Sequence, residues 1–110
     1  MLGIIGKIPS EVEKCQVQVK EAWSRKTVAF ASELVDIVER SAGELGYSSM
    51  RMYSGPGHDA QYVIDMMPTT MIFIPSVGGH SHCKLEYTST EACLKGANVL
   101  LRTLLTIDQQ

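Results

Sequence analysis

From residue 12 onward the chain changes its hydrophobic period several times. In "VEKCQVQVKEAW", Cys15, Val17 and Val19 fall on one side, and Gln16, Gln18 and Lys20 on the other. A period of two predicts a strand with one wet face. "SRKT" breaks the alternation and reads as a crossing linker. The period then lengthens. Leu34, Val35, Val38, Ala42 and Leu45 in "ASELVDIVERSAGELGY" form one apolar stripe at helical spacing, with Ser32 placed as N-cap and Gly46 as the stop. "SSMRMYS" is short and extended, and "HDAQYVIDMM" is a short helix that ends before Pro68. "TTMIFI" is a nearly all-apolar strand, the kind covered on both faces. In the last helix Thr88 and Glu91 have capping-box spacing, and Cys93, Ala97, Leu100, Leu101, Leu104 and Leu105 recur at helical intervals.

The predicted order is strand, helix, strand, helix, strand, loop, helix. The last six elements alternate as α/β, which implies parallel strands under helix cover; the first strand need not share their sheet. At 110 residues the chain is one small domain at most. Ten basic and twelve acidic residues give a net charge of −2, with the basic ones scattered, so the electrostatic footprint of a nucleic-acid binder is missing. The apolar start "MLGIIGKIPS" is too short to span a bilayer and does not have the form of a signal peptide, so a cytoplasmic protein without membrane partners is expected. Three cysteines, with no CxxC pair, read as reduced thiols rather than as disulfides or a zinc knuckle.

Two loops could carry chemistry. In open α/β sheets ligands bind beyond the carboxyl ends of the strands, and both "SGPGHDAQ" and "SVGGHSHC" fall there. If the preceding strands are parallel neighbours, the loops converge at one edge. Gly55 and Gly57 precede a helix start, where free N–H groups favour an anion. The competing reading is a tight turn with Asp59 capping the helix. The second loop offers His80, His82 and Cys83, all competent metal ligands. Three donors so close in sequence seldom reach one ion together, so one of them would ligate with partners from elsewhere; His58, Asp59 and Glu86 are the candidates within the chain. The competing reading is a polar loop whose histidines face water. A Cys–His nucleophilic pair is disfavoured, because adjacent residues rarely face each other.

Taken in order, "MYSGPGHDAQ", "PTTMIFIPS", "GGHSHCKLEYTS" and "GANVLL" resemble the C-terminal end of the amidase family that hydrolyses carbamoyl and ureido groups. Its members include N-carbamoyl-L-amino acid hydrolase, allantoate amidohydrolase and β-ureidopropionase, within the zinc-peptidase clan related to aminoacylases. The resemblance runs from about Glu13 to about Leu105, while "MLGIIGKIPSE" matches nothing familiar in it. It implies a partial three-layer α/β sandwich with parallel strands and covering helices. Residues 1–24 would then be an N-terminal segment with the last strand of an inserted, dimerisation-type domain. Residues 25–110 would be the C-terminal part of a metallohydrolase catalytic domain.

The resemblance further implies that His82 is a metal ligand. It places Gly55, Gly57, His58 and Gln61 against substrate, and Asp59 and Glu86 in support behind the site. His80 stands where the family is usually apolar and takes no ligand role; Cys83 stands where serine is common, and Pro56 where alanine is common. No catalytic residue is assigned, because the general base and the remaining ligands of the zinc, manganese or cobalt ions lie upstream in the family. The implied whole protein is a homo-oligomer acting on a small carbamoyl or ureido compound. The chain alone is expected to be inactive and to hold no metal tightly. The alternative is a non-enzymatic, self-associating module that keeps the fold.

Overall fold

The structure, a computed structural model, describes residues 15–110. Its regular elements are α1 (Ser32–Glu44), a short α2 (Ala60–Val63), a 3-10 turn at Val77–Gly79 and the long α3 (Thr90–Asp108). Among the described residues no segment is paired as a strand. At the ends of the apolar run 69–76 two single backbone bonds stand where a ladder would run: Ala31 N–H to Thr69 O at 3.0 Å, and Val77 N–H to Tyr87 O at 2.8 Å. Strands exist only as ladders, and a lone apolar segment has no partner for its N–H and C=O groups. Residues 1–14, and with them the first three positions of the first expected strand, lie outside the described residues; residues 15–23 are described and are not paired as a strand, and of residues 15–20, Val17 is half-buried and the rest are exposed.

α1 and α3 pack on each other. Ile37 and Ala42 of α1 and Val99 of α3 are buried, with Ser41 and Thr103 beside them. Asn98 donates to the Tyr47 hydroxyl at 3.2 Å, and Arg102 closes the far end on Glu44 at 2.7 Å. Arg51 bridges back to Glu39 and Asp36, both at 2.6 Å, and hydrogen bonding to Glu39 first and Asp36 second pushes its pKa further up. These ties fix the chain on its way from α1 to the loop at residue 54.

The helix ends differ from the expected caps in two places. α1 starts at Ala31, whose N–H is held by Thr69 O; Ser32 lies inside the helix and no side chain caps it. α3 starts one residue later than the Thr88 box requires: Ser89 is the cap, accepting from Ala92 N–H at 3.2 Å. Thr88 instead donates to Pro75 O at 3.0 Å, and so ties the apolar run to the helix entry. Gly46 is a stop as expected. Its φ of +74° lets Tyr47 N–H reach Ala42 O at 2.9 Å and Gly46 N–H reach Gly43 O at 3.0 Å, the two bonds of a Schellman ending.

The apolar stripes are only partly covered. Leu100, Leu101, Leu104 and Leu105 of α3 are exposed, whereas Val99 and Thr103 form its buried face. Leu34, Val38, Ile72, Ile74, Ala97 and Leu104 line an open apolar groove of about 620 Å³. The radius of gyration is 19.4 Å, against about 13 Å for a compact domain of this length. A helix that is apolar on more than one side belongs inside a larger body.

Candidate functional site

The two loops meet. The His58 and His82 rings lie edge to face with centroids 5.6 Å apart, and Phe73 sits 5.6 Å from the His58 ring. The approach of the two loops, expected if the strands before them were parallel neighbours, is present although no strand ladder is formed among the described residues.

The first loop is built around its own side chains. Ser54 Oγ lies 2.7 Å from His58 Nε2 and donates to Pro56 O at 3.0 Å. Gln61, on α2, reaches back so that its Oε1 accepts from the His58 backbone N–H at 3.3 Å. Gly57 permits this: a Cβ there would stand 3.2 Å from Gln61 Oε1 and 3.8 Å from Trp23. Gln61 thus takes an N–H just ahead of the helix, and no side chain caps α2 itself. Asp59 has helical backbone angles and makes no side-chain cap bond, because a capping oxygen needs the extended angles it does not have.

A second set of contacts holds this loop from behind. Trp23 Nε1–H donates to the Tyr62 hydroxyl at 2.7 Å. The Arg25 guanidinium stacks 4.4 Å from the Tyr62 ring centroid, pairs with Asp65 at 2.8 Å and donates to Gln61 O. Sequence reading gave Trp23, Arg25 and Ser54 no role. All three act through partners far away in the chain or across a turn, which no local period reveals.

The second loop owes its shape to positive φ. Gly78 and Gly79 sit at +70° and +71°, and His82 at +56°. For a residue with a Cβ that region costs about 1–2 kcal/mol. The cost at His82 is offset by its backbone N–H donating to the Glu86 carboxylate at 2.8 Å, a charge-assisted bond. Glu86 therefore aims His82 through the backbone. His80 lies elsewhere: a Cβ on Gly78 would stand 3.0 Å from its ring, and its carbonyl accepts from Ser76 Oγ at 2.6 Å. Cys83 is exposed and, like Cys15 and Cys93, is a free thiol.

Whether these donors fit a metal can be judged from their arrangement. His58 Nε2 is engaged by Ser54, and Glu86 Oε2 by a backbone N–H. Among the described residues no three His, Cys, Asp or Glu side chains gather to hold an ion. His80, His82 and Cys83 accordingly do not form a centre of their own. A metal at His82 would need further donors that this cluster does not supply. Gly55 and Gly57 keep the rim of the loop low; Gly55, Pro56, Gly57 and Asp59 are exposed, and Ser54, His58, Ala60 and Gln61 are half-buried.

The family model described as peptidase family M20/M25/M40 matches residues 3–106, including most of the opening segment that sequence reading left outside the resemblance. An N-carbamoyl-L-amino-acid amidohydrolase of Rhizobium meliloti is 46% identical over 78 residues, 71% of this chain and 19% of that protein. One of Paenarthrobacter aurescens is 29% identical over 106 residues, 96% of this chain and 26% of that protein. An allantoate amidohydrolase of Bacillus subtilis (strain 168) is 45% identical over 60 residues, 54% of this chain and 15% of that protein. The chain thus spans about a quarter or less of the length of these curated relatives. No solved structure matches it. No helix among the described residues is long and apolar enough to cross a membrane.

Proposed function

The chain belongs to peptidase family M20/M25/M40, and we propose that it is the carboxyl-terminal part of an amidohydrolase acting on N-carbamoyl amino acids or ureido acids. What supports the reading is the approach of His82 to His58, 5.6 Å between ring centroids, which brings together two loops 24 residues apart in number. In the whole protein His82 is one ligand of a divalent metal such as zinc, manganese or cobalt. That ion supplies the lowered pKa that makes water a nucleophile at neutral pH. This chain contributes that imidazole and no general base, and its own donors do not complete a metal site, so alone it is inactive. Its other contribution is positional: the Gly55–Gly57 turn admits the substrate's anionic end to the backbone, Gln61 braces the turn, and His58 lines the pocket.

The uncovered run at residues 69–74 completes a parallel sheet in the whole protein, giving the three-layer sandwich, with residues 1–24 ending an inserted domain and residues 25–110 in the catalytic one. The protein works in the cytoplasm as a homo-oligomer. The exposed leucines of α3 favour self-association of the isolated chain, and light scattering from a clean monomer at high concentration would count against that.

The test is a chimera, with this chain grafted in place of the segment it matches in the Rhizobium meliloti relative. The chimera should release the carbamoyl group from an N-carbamoyl amino acid, and His82→Ala should lower kcat/KM by at least about a hundredfold, beyond what supporting residues of metal ligands cost. A folded, metal-loaded chimera without turnover refutes the assignment. The isolated chain with zinc, manganese or cobalt should show no turnover above its His82→Ala variant, and any such turnover refutes its inactivity alone.

A further inference from the structure

We propose that Ser54 is a positioning residue that fixes the tautomer and orientation of His58, so that the ring offers a lone pair at Nδ1 to the ligand. The inference rests on the reading of His58 as a pocket residue and deepens it.

A serine hydroxyl has one hydrogen and two lone pairs. Ser54 Oγ lies 3.0 Å from Pro56 O and 2.7 Å from His58 Nε2. The carbonyl oxygen of Pro56 can only accept, so the hydroxyl hydrogen goes to it. Towards His58 the oxygen then presents a lone pair, and Nε2 must carry the proton. The reverse arrangement would leave two acceptor oxygens facing each other at 3.0 Å with no hydrogen between them. With Nε2 protonated, the neutral ring has its acceptor at Nδ1.

The local sequence makes the relay stiff. The proline ring locks φ at residue 56 and so narrows the conformations open to the turn that carries the accepting carbonyl. The serine hydroxyl closes this turn by donating to the carbonyl two residues on. Gln61 fixes the other end by taking the His58 backbone N–H at 3.3 Å, while Phe73 and His82 limit the ring's swing on two sides, both with centroids at 5.6 Å. A ring held in this way accepts an N–H from the ligand, such as that of a carbamoyl or ureido group. It does not favour a bare carboxylate oxygen, which would meet a lone pair. Recognition is thereby divided, with the glycine backbone taking the anionic end and His58 taking an amide hydrogen.

The test uses the chain itself, labelled with 15N at histidine, at a pH where the imidazoles are neutral. His58 is assigned by the resonances that vanish in His58→Gln. In the wild-type chain His58 should be the Nε2–H tautomer, with Nδ1 shifted as an unprotonated nitrogen. Ser54→Ala should lower the tautomer ratio by about fivefold, the worth of one ordinary hydrogen bond. Ser54→Thr keeps the hydroxyl and should keep the ratio. An Nδ1–H ring in the wild type overturns the proposal, and so does a ratio in Ser54→Ala equal to that of the wild type. If Ser54→Ala disturbs the fold, the wild-type tautomer and its retention in Ser54→Thr decide the matter. None of these readouts needs turnover, so an inactive chimera with a locked Nε2–H ring refutes the amidohydrolase reading and leaves Ser54 in its role.

Discussion

Two glycines three residues apart at the end of α1 should respond to the same substitution with opposite signs. Gly43 lies inside the helix, exposed, and a Cβ there meets nothing within 4 Å. Alanine at that position gains helix propensity, about 0.8–1 kcal/mol. Gly46 also has open space around it, but its φ is +74°. There L-alanine incurs the left-handed penalty of roughly 1–2 kcal/mol. Part of that is offset by about 0.4–1 kcal/mol from the reduced freedom of the unfolded chain. The net is a loss of about 1 kcal/mol. Because neither site has a neighbour to clash with, backbone angle alone separates them. D-Alanine at 46, introduced by semisynthesis, favours positive φ and keeps only the unfolded-state gain, so it should stabilise by about 0.4–1 kcal/mol. Far-UV circular dichroism during thermal unfolding reads all three. At about 4–8 °C per kcal/mol, Gly43→Ala should raise the midpoint by several degrees and Gly46→Ala should lower it by a similar amount. The reasoning fails if the two L-alanine variants move the same way, or if D-alanine at 46 is no better than L-alanine.

Three further outcomes follow from the packing and the charges. Gly96→Ala places a Cβ 2.5 Å from Ile74 Cγ2, a branch too stiff to swing freely, so overpacking of about 1–3 kcal/mol outweighs the helix gain of about 1 kcal/mol. In an Ile74→Ala background the same change should be neutral or stabilising, and a double-mutant cycle showing no coupling would refute the contact. On α3, Lys95 donates a hydrogen bond to Glu91 at 2.8 Å; that bond first, and the opposite charge second, holds the Glu91 carboxyl below its ordinary 4.5 and Lys95 above its ordinary 10.5. The carboxylate's contribution is present above pH 4.5 and is lost as pH falls through its depressed value. The lysine's is present below pH 10.5 and is lost as pH rises through its raised value. Helicity should therefore be highest between those limits, by a small and salt-screened margin, and Lys95→Met should flatten both flanks. Trp23 is the single tryptophan, so Tyr62→Phe or Arg25→Ala should lower its fluorescence anisotropy and shift its emission to the red; an unchanged spectrum means the Trp23–Tyr62 bond does not form in solution.

The helices were legible because their signals are local. The stripe through Leu34, Val38 and Ala42 and the stop at Gly46 place α1 to within a residue, and the run from Cys93 to Leu105 places α3. Which face each helix buries was not legible. Ile37 fell outside the stripe yet is buried, and Leu100, Leu101, Leu104 and Leu105 lay in it yet are exposed. A periodicity counts apolar positions but does not say which neighbour is present to cover them. The caps slipped by one residue because Ala31 and Thr88 are held by Thr69 and Pro75, partners from a distant segment. Whether "TTMIFI" forms a ladder is decided by a partner strand, which an apolar run does not specify. The approach of the two loops was legible, since glycines and histidines there follow apolar runs. The Ser54–His58 relay and the Glu86 bond to the His82 backbone were not, because each depends on how tightly a turn closes.

Arg25 and Trp23 carry a mechanical consequence. Tyr62 is gripped on its hydroxyl by one and on its ring face by the other, and the same short helix bears the glutamine that closes on His58. Backbone movement at residue 23 thus has little slack before it pulls on the first loop. The extended segment through Trp23 and Arg25 works as a short tether, so that a shift there is felt at the His58 imidazole as a displacement rather than absorbed in a loose joint.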